Sequence, residues 1–265
     1  MGNNWVLPAT EIVEKCSAFI AGAVHAAGLK KVVIGLSGGI DSAVAAALAV
    51  DALGKENVLG VCMPYRLSNP SSLADGLAVA ESLQIDVETR DISPMVDIFI
   101  NDLPEGEAVR RGNVMARCRM IVLYDISARD SSLVLGTGNR TETLLGYATL
   151  HGDAAFALNP LEDLYKMEVA AVARHMGLPD EVINKAPSAD LWEGQTDEGE
   201  LGFSYDDADN LLHLIIDEGL GDRQIESLGF KKETIEAVRN KMVSQAFKWK
   251  SVPAAKFPGR PMPEL

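Results

Sequence analysis

Residues 31–50, KVVIGLSGGIDSAVAAALAV, decide the fold. Val32, Val33 and Ile34 form a β-branched apolar run that reads as a buried strand, and the alanine-rich run after Ser42 reads as a helix. Between them stand Gly35, Leu36, Ser37, Gly38, Gly39, Ile40, Asp41 and Ser42. The paired glycines permit positive φ and let main-chain N–H groups approach a ligand closely. Ser37 and Ser42 add hydroxyl donors, and the following helix aims its unpaired N–H groups and positive dipole end into the loop. The result is an anion cradle suited to phosphate or pyrophosphate. A bare Asp41 would repel that guest, and a divalent cation such as Mg²⁺, bridging the carboxylate and phosphate oxygens, removes the conflict. An isolated Gly-Gly pair is no more than a tight turn. Its place between a buried strand and a helix is what makes this one read as an anion site.

Working outward, strand and helix patterns alternate. NVLGVCMP (57–64), IDVETRDI (85–92) and SSLVLGTG (131–138) read as strands. Residues 8–28, 71–83, 95–102 and about 107–129 read as helices. That alternation predicts an α/β fold, a Rossmann-like three-layer sandwich with a mainly parallel sheet. The glycine loop would sit at the strand's carboxyl end, where ligands of such sheets collect. Beyond residue 140 the pattern loosens into Gly-, Asp- and Pro-rich stretches, which in a compact domain read as functional loops. Residues 206–247 read as helical, and the tail is basic and proline-rich.

The net charge of −14 disfavours a nucleic-acid partner but leaves room for a small nucleotide at a local cluster of donors. Cys16, Cys62 and Cys118 show no C-x-x-C spacing, so buried thiols are expected rather than a disulfide framework or zinc site. No secretory leader or membrane-length apolar run is evident, and a cytoplasmic protein with no membrane partner is expected. The loop lacks the Gly-Lys-Ser/Thr of a Walker A motif. GTGNRTETLLG (136–146) has Thr141 where a dinucleotide fingerprint needs its last glycine, which argues against hydride chemistry. His25, His151, His175 and His213 have no metal spacing, and three of them read as structural, His151 lying in a suspected substrate loop.

The Ser37–Ser42 loop resembles the pyrophosphate loop of the N-type ATP pyrophosphatases. GNVMARCRMIVLYDIS (112–127), VLGTGNRTETLLGY (134–147), PLEDLYKMEV (160–169) and PSADLWEGQTDEGELGFSYDD (187–207) are similar to motifs of ammonia-dependent NAD synthetase. The resemblance implies adenylylation of the nicotinate carboxylate of deamido-NAD by ATP, release of pyrophosphate, and displacement of AMP by ammonia. It implies that Gly35, Leu36, Ser37, Gly38, Gly39, Ile40, Asp41, Ser42, Thr137, Lys166 and Ser188 bind ATP. Asp41 and Glu142 would carry magnesium, with Asp41 and Lys166 catalytic. Arg117, Lys248 and Asp153 would contact deamido-NAD. Standing alone, Glu142, Lys166 and Arg117 would read as solvated helix charges; their places in the motifs give them these roles. LWEGQTDE (191–198), with Trp192, resembles a lid excluding water from the acyl-adenylate.

The nicotinate half departs from the family pattern. Leu150 stands where a lysine is usual, Ala157 where an aspartate is usual, and Phe247 replaces the first member of a basic pair. A same-fold amidoligase acting on another carboxylate, or a catalytically silent nucleotide-binding protein, is therefore the competing expectation. Acidity and the lack of cysteine pairs speak against a tRNA-thiolating relative. The chain is expected to form one domain over 1–265, with a nucleotide-binding α/β core at about 30–190 and a helical C-terminal part at about 205–250. Its length leaves no room for a built-in glutaminase domain, so free ammonia or a separate donor is implied. The family also implies a homodimer, for which the N-terminal helix and the 107–129 helix could serve as interface or equally as core.

Overall fold

The structure, a computed structural model, describes residues 5–104, 106–188, 196–250 and 253. In chain order the elements are α1 (Ala9–Ala26), β1 (Lys31–Gly35), α2 (Ile40–Leu53), β2 (Val58–Cys62), α3 (Pro70–Leu83) and β3 (Asp86–Thr89). Then follow α4 (Ser93–Ile100), α5 (Ala108–Asp130), β4 (Ser132–Val134), α6 (Arg140–Leu145), α7 (Lys166–His175) and α8 (Asp180–Ile183). The C-terminal part contains α9 (Asp197–Leu201), α10 (Tyr205–Leu212), α11 (Asp222–Ser227) and α12 (Lys232–Gln245).

The sheet is parallel, in the order β3-β2-β1-β4. Val32 pairs with Val58 on one side and Leu133 on the other, so β1 is central and covered along both edges. Alternation along β1 divides the core. Val32 and Ile34 pack with α1, α2, α3 and α7, whereas Val33 packs with α4 and α5 on the opposite face. The expected three layers are present. A further apolar cluster joins α6, α10, α11 and α12.

Alanine content explains α2. Ala43 through Ala49 are at most 2% exposed, so the helix is buried all round, and small side chains let neighbours approach it closely. The stripe Ile12, Cys16, Ile20 and Val24 makes α1 a core helix, while α5 buries Met115, Ala116, Cys118 and Ile126 and leaves Val109, Ile121 and Tyr124 exposed. All three cysteines are free and buried, as the sequence implies. Burial pushes the Cys62 thiol up to about 11 and raises Cys16 and Cys118 in the same direction. Among the described residues, no helix is long and apolar enough to cross a membrane.

Candidate active site

From β1 the chain moves through β2 to β3, then returns to the other side of β1 to form β4. The strand order therefore reverses between β1 and β4, and the crevice beyond their carboxyl ends is where open α/β sheets bind ligands. Both candidate motifs emerge there, one after Gly35 and one after Val134.

The glycine loop is shaped by backbone and hydroxyls together. Gly38 has φ +75°, and a Cβ placed on it would stand 2.4 Å from the Ser72 carbonyl oxygen, so geometry demands glycine. Gly39 precedes α2 and donates its N–H to Ser37 Oγ at 3.2 Å. Ser42 Oγ donates to the Gly39 carbonyl at 2.9 Å, and the two serine hydroxyls lie 3.1 Å apart. Leu36 continues the β1 ladder through its N–H to the Val61 carbonyl, and Ile40 is the first residue of α2. The helix has no side-chain cap, leaving its first turn to face the crevice.

Asp41, in that first turn, meets residues from two distant elements. Its Oδ1 accepts from Asn139 Nδ2 at 2.8 Å, and its Oδ2 accepts from Lys166 Nζ at 2.5 Å. Asn139 caps α6 by accepting from the Glu142 N–H, while Glu142 Oε2 accepts from the Asn139 N–H. The other carboxylate oxygen of Glu142 accepts from Lys166 Nζ at 3.1 Å. One ammonium thus joins two carboxylates contributed by α2 and α6. Burial pushes the Glu142 carboxyl up to about 7, with Lys166 opposing and Asp41 adding to the rise. Burial works against the Lys166 ammonium, yet Asp41 and Glu142 together hold its pKa above the ordinary lysine value.

The remaining sequence-derived residues fall into two groups. Thr137 is half-buried in the Gly136–Asn139 turn beside the loop. Ser188 is exposed, three residues past Lys185, whose ammonium donates to Asp75 at 2.7 Å and Ser72 at 3.2 Å against Gly38. Away from the phosphate loop, the structure gathers Arg117, Asp153 and Lys248 around residues 146–153. Arg117 Nε donates to the Leu150 carbonyl at 3.3 Å, and Asp153 accepts from the Thr149 N–H at 2.8 Å. Lys248 donates to the carbonyls of Gly146 and Ala148 at 2.7 and 2.8 Å. Leu150, at the place of a usual lysine, therefore takes part through its backbone. Residues 191–195 of the supposed lid, Trp192 among them, lie outside the described residues. His213 is structural, stacked on Trp5 and bonded to Asp217.

The sequence reading did not single out Asn139, Asp197 or Asp209. Asn139 was within reach, since Asn-x-x-Glu ahead of an apolar pair is a capping-box signature. Asp197 accepts from the hydroxyls of Tyr147 and Tyr205, both at 3.0 Å, and the Tyr205 ring lies 5.0 Å from Lys166 Nζ. Asp209 is wholly buried and accepts from the Thr141 hydroxyl and from the Met167 N–H at 2.8 Å. Burial pushes its carboxyl up to about 6.

Residues 12–252 match the family described as NAD synthase. The chain belongs to the NAD synthase family. An NH(3)-dependent NAD(+) synthetase of Pelodictyon phaeoclathratiforme is 49% identical over 243 residues, covering 92% of this chain and 88% of that one. The solved NH3-dependent NAD synthetase of Campylobacter jejuni superposes with a TM-score of 0.80 at 35% identity, covering 94% of this chain and all of the other. NMN synthetase of Francisella tularensis superposes with a TM-score of 0.84 at 31% identity, covering 95% and 100%. Membership in the NAD synthase family agrees with the position of the glycine loop at the switch point and with the parallel sheet that presents it.

Proposed function

We propose that the chain is a ligase that amidates deamido-NAD to NAD with ammonia and ATP. The observation carrying this reading is the meeting of Asp41, Glu142 and Lys166 beside the Gly35–Ser42 loop at the switch point. In the first step a nicotinate carboxylate oxygen bonds to the α-phosphorus and pyrophosphate leaves. In the second, the ammonia nitrogen bonds to the carboxyl carbon, AMP leaves and a proton passes to solvent. The main-chain N–H groups at Gly38 and Gly39, the first turn of α2, and the hydroxyls of Ser37, Ser42, Thr137 and Ser188 bind the triphosphate. Lys166 balances the charge that builds on the departing pyrophosphate, where fixed donors contribute most.

Asp41 and Glu142 turn hard oxygens to either side of Lys166 Nζ, so a cation held by both would take the place of that ammonium and turn it toward the phosphates. No third metal-ligating side chain clusters with them among the described residues. That donor set fits magnesium, which takes one or two carboxylates and completes its shell with phosphate oxygens and water. Bound there, magnesium would neutralise phosphate charge. Arg117, Lys248 and Asp153 orient the nicotinate end. We also propose that the chain works as one domain, a core at about 30–190 with a helical part at about 205–250, and as a homodimer.

Product analysis tests the reading. Incubation with deamido-NAD, ATP, Mg²⁺ and ammonium should yield NAD, AMP and pyrophosphate in equal amounts. Asp41→Asn should lower AMP formation by about 10²–10³-fold while the fold stays intact by circular dichroism. Running nicotinate mononucleotide in parallel addresses the second reading, favoured by Leu150 and Ala157 in the substrate half: preference for the mononucleotide would move the assignment to NMN synthesis.

A further inference from the structure

We infer that Asp209 is a positioning residue, which fixes Lys166 and Glu142 relative to each other by tying the first turns of α6 and α7 to α10. The inference rests on the ATP-site reading given above. Asp209 lies on α10, is 0% exposed, and uses both carboxylate oxygens. One accepts from the hydroxyl of Thr141, the neighbour of Glu142 on α6. The other accepts from the N–H of Met167, the neighbour of Lys166 on α7. Thr141 Oγ1 in turn accepts from the Lys166 N–H at 3.1 Å. The N–H groups of the first two residues of α7 are thus both satisfied from other elements.

A local cap would have served α7 as a helix. Serine, threonine, asparagine or aspartate at position 165 would satisfy the Met167 N–H locally, but the chain has Tyr165 there, with no side-chain cap bond of its own from that position. Instead the acceptor arrives from α10, 42 residues beyond Met167. Burying a carboxylate is costly unless its oxygens are satisfied. The return is positional: the α-carbons carrying Glu142 and Lys166 are held to one buried group, so their side chains reach the same point beside Asp41. The helix α10 thereby supports the phosphate site through Asp209 as well as through the Tyr205 ring beside Lys166.

The test uses Asp209→Ala, Asp209→Asn and Thr141→Val in the full chain, with rates normalised to the folded fraction. Asp209→Ala is expected to lower kcat/KM for ATP about 10-fold or more, since small misplacements of reacting groups carry large rate penalties. KM for deamido-NAD should stay within about twofold, because those contacts lie on another loop. Asp209→Asn, which keeps an acceptor for Met167, should recover part of the loss. Thr141→Val should reproduce it, and the Asp209→Ala/Thr141→Val double variant should lose less than the two single losses combined, since both remove the Thr141–Asp209 bond. Unchanged kcat and ATP KM in folded Asp209→Ala and Thr141→Val, with only Tm lowered, would overturn the inference. Should Asp209→Ala fail to fold, the other two single variants decide by the same criteria. Calorimetric binding of Mg-ATP, expected to weaken in step with kcat/KM, tests the positioning role even if the wild type makes no NAD, an outcome that would sink the amidation reading alone.

Discussion

Lys166 brings one positive charge to a site where Asp41 and Glu142 supply two negative ones. The balance falls on Glu142, whose carboxyl is lifted from 4.5 to about 7 by burial. The folded protein therefore holds a proton that the unfolded chain has already released, and this group makes stability fall as pH rises from about 4.5 to about 7, then level off. Glu142→Gln keeps the capping acceptor but cannot ionise. Its stability relative to wild type should rise by about 1–3 kcal/mol between pH 5 and pH 8, as read from urea midpoints at each pH; parallel curves would contradict the assignment. The sequence made Asp41, Glu142 and Lys166 legible because each sits in a motif. It could not show Asn139 reaching across 98 positions to Asp41, or Asp209 reaching 68 positions to Thr141, because local pattern carries no information about which distant side chains meet.

At the scale of elements, β1 and α2 were legible for a plain reason: each is buried along most of its length, so composition rather than period marks it, β-branched residues in β1 and alanine in α2. The helix α7 was not, because its apolar residues Val169, Val172 and Ala173 fill only two turns behind a motif read for its lysine. Its packing on α1 and α2 is what completes that layer. The same close packing sets a limit on α2. Ala46 is 0% exposed in the middle of the layer, and Ala46→Leu should destabilise the protein by about 1–3 kcal/mol through overpacking. Urea denaturation would check this, and an unchanged midpoint would mean the layer has slack.

Over the whole molecule, α5 is the element that faces both ways. Arg117, Ile121 and Tyr124 lie at four- and three-residue spacing on its exposed side, so the proposed substrate contact shares a face with apolar surface that is exposed among the described residues. A homodimer with a two-fold interface over this face should give a light-scattering mass about twice the 28.4 kDa of the chain, and Ile121→Glu should shift it toward the monomer. The three thiols offer a separate view of the same molecule. Cys16 lies in one helical layer, Cys62 at the sheet, and Cys118 in the opposite layer, each shielded and held in the unreactive protonated form. Iodoacetamide should therefore label none of them in the resting protein. As denaturant is added, the order in which the three alkylate, followed by peptide mass spectrometry, would time the opening of each side separately, a set of natural reporters already built into the chain.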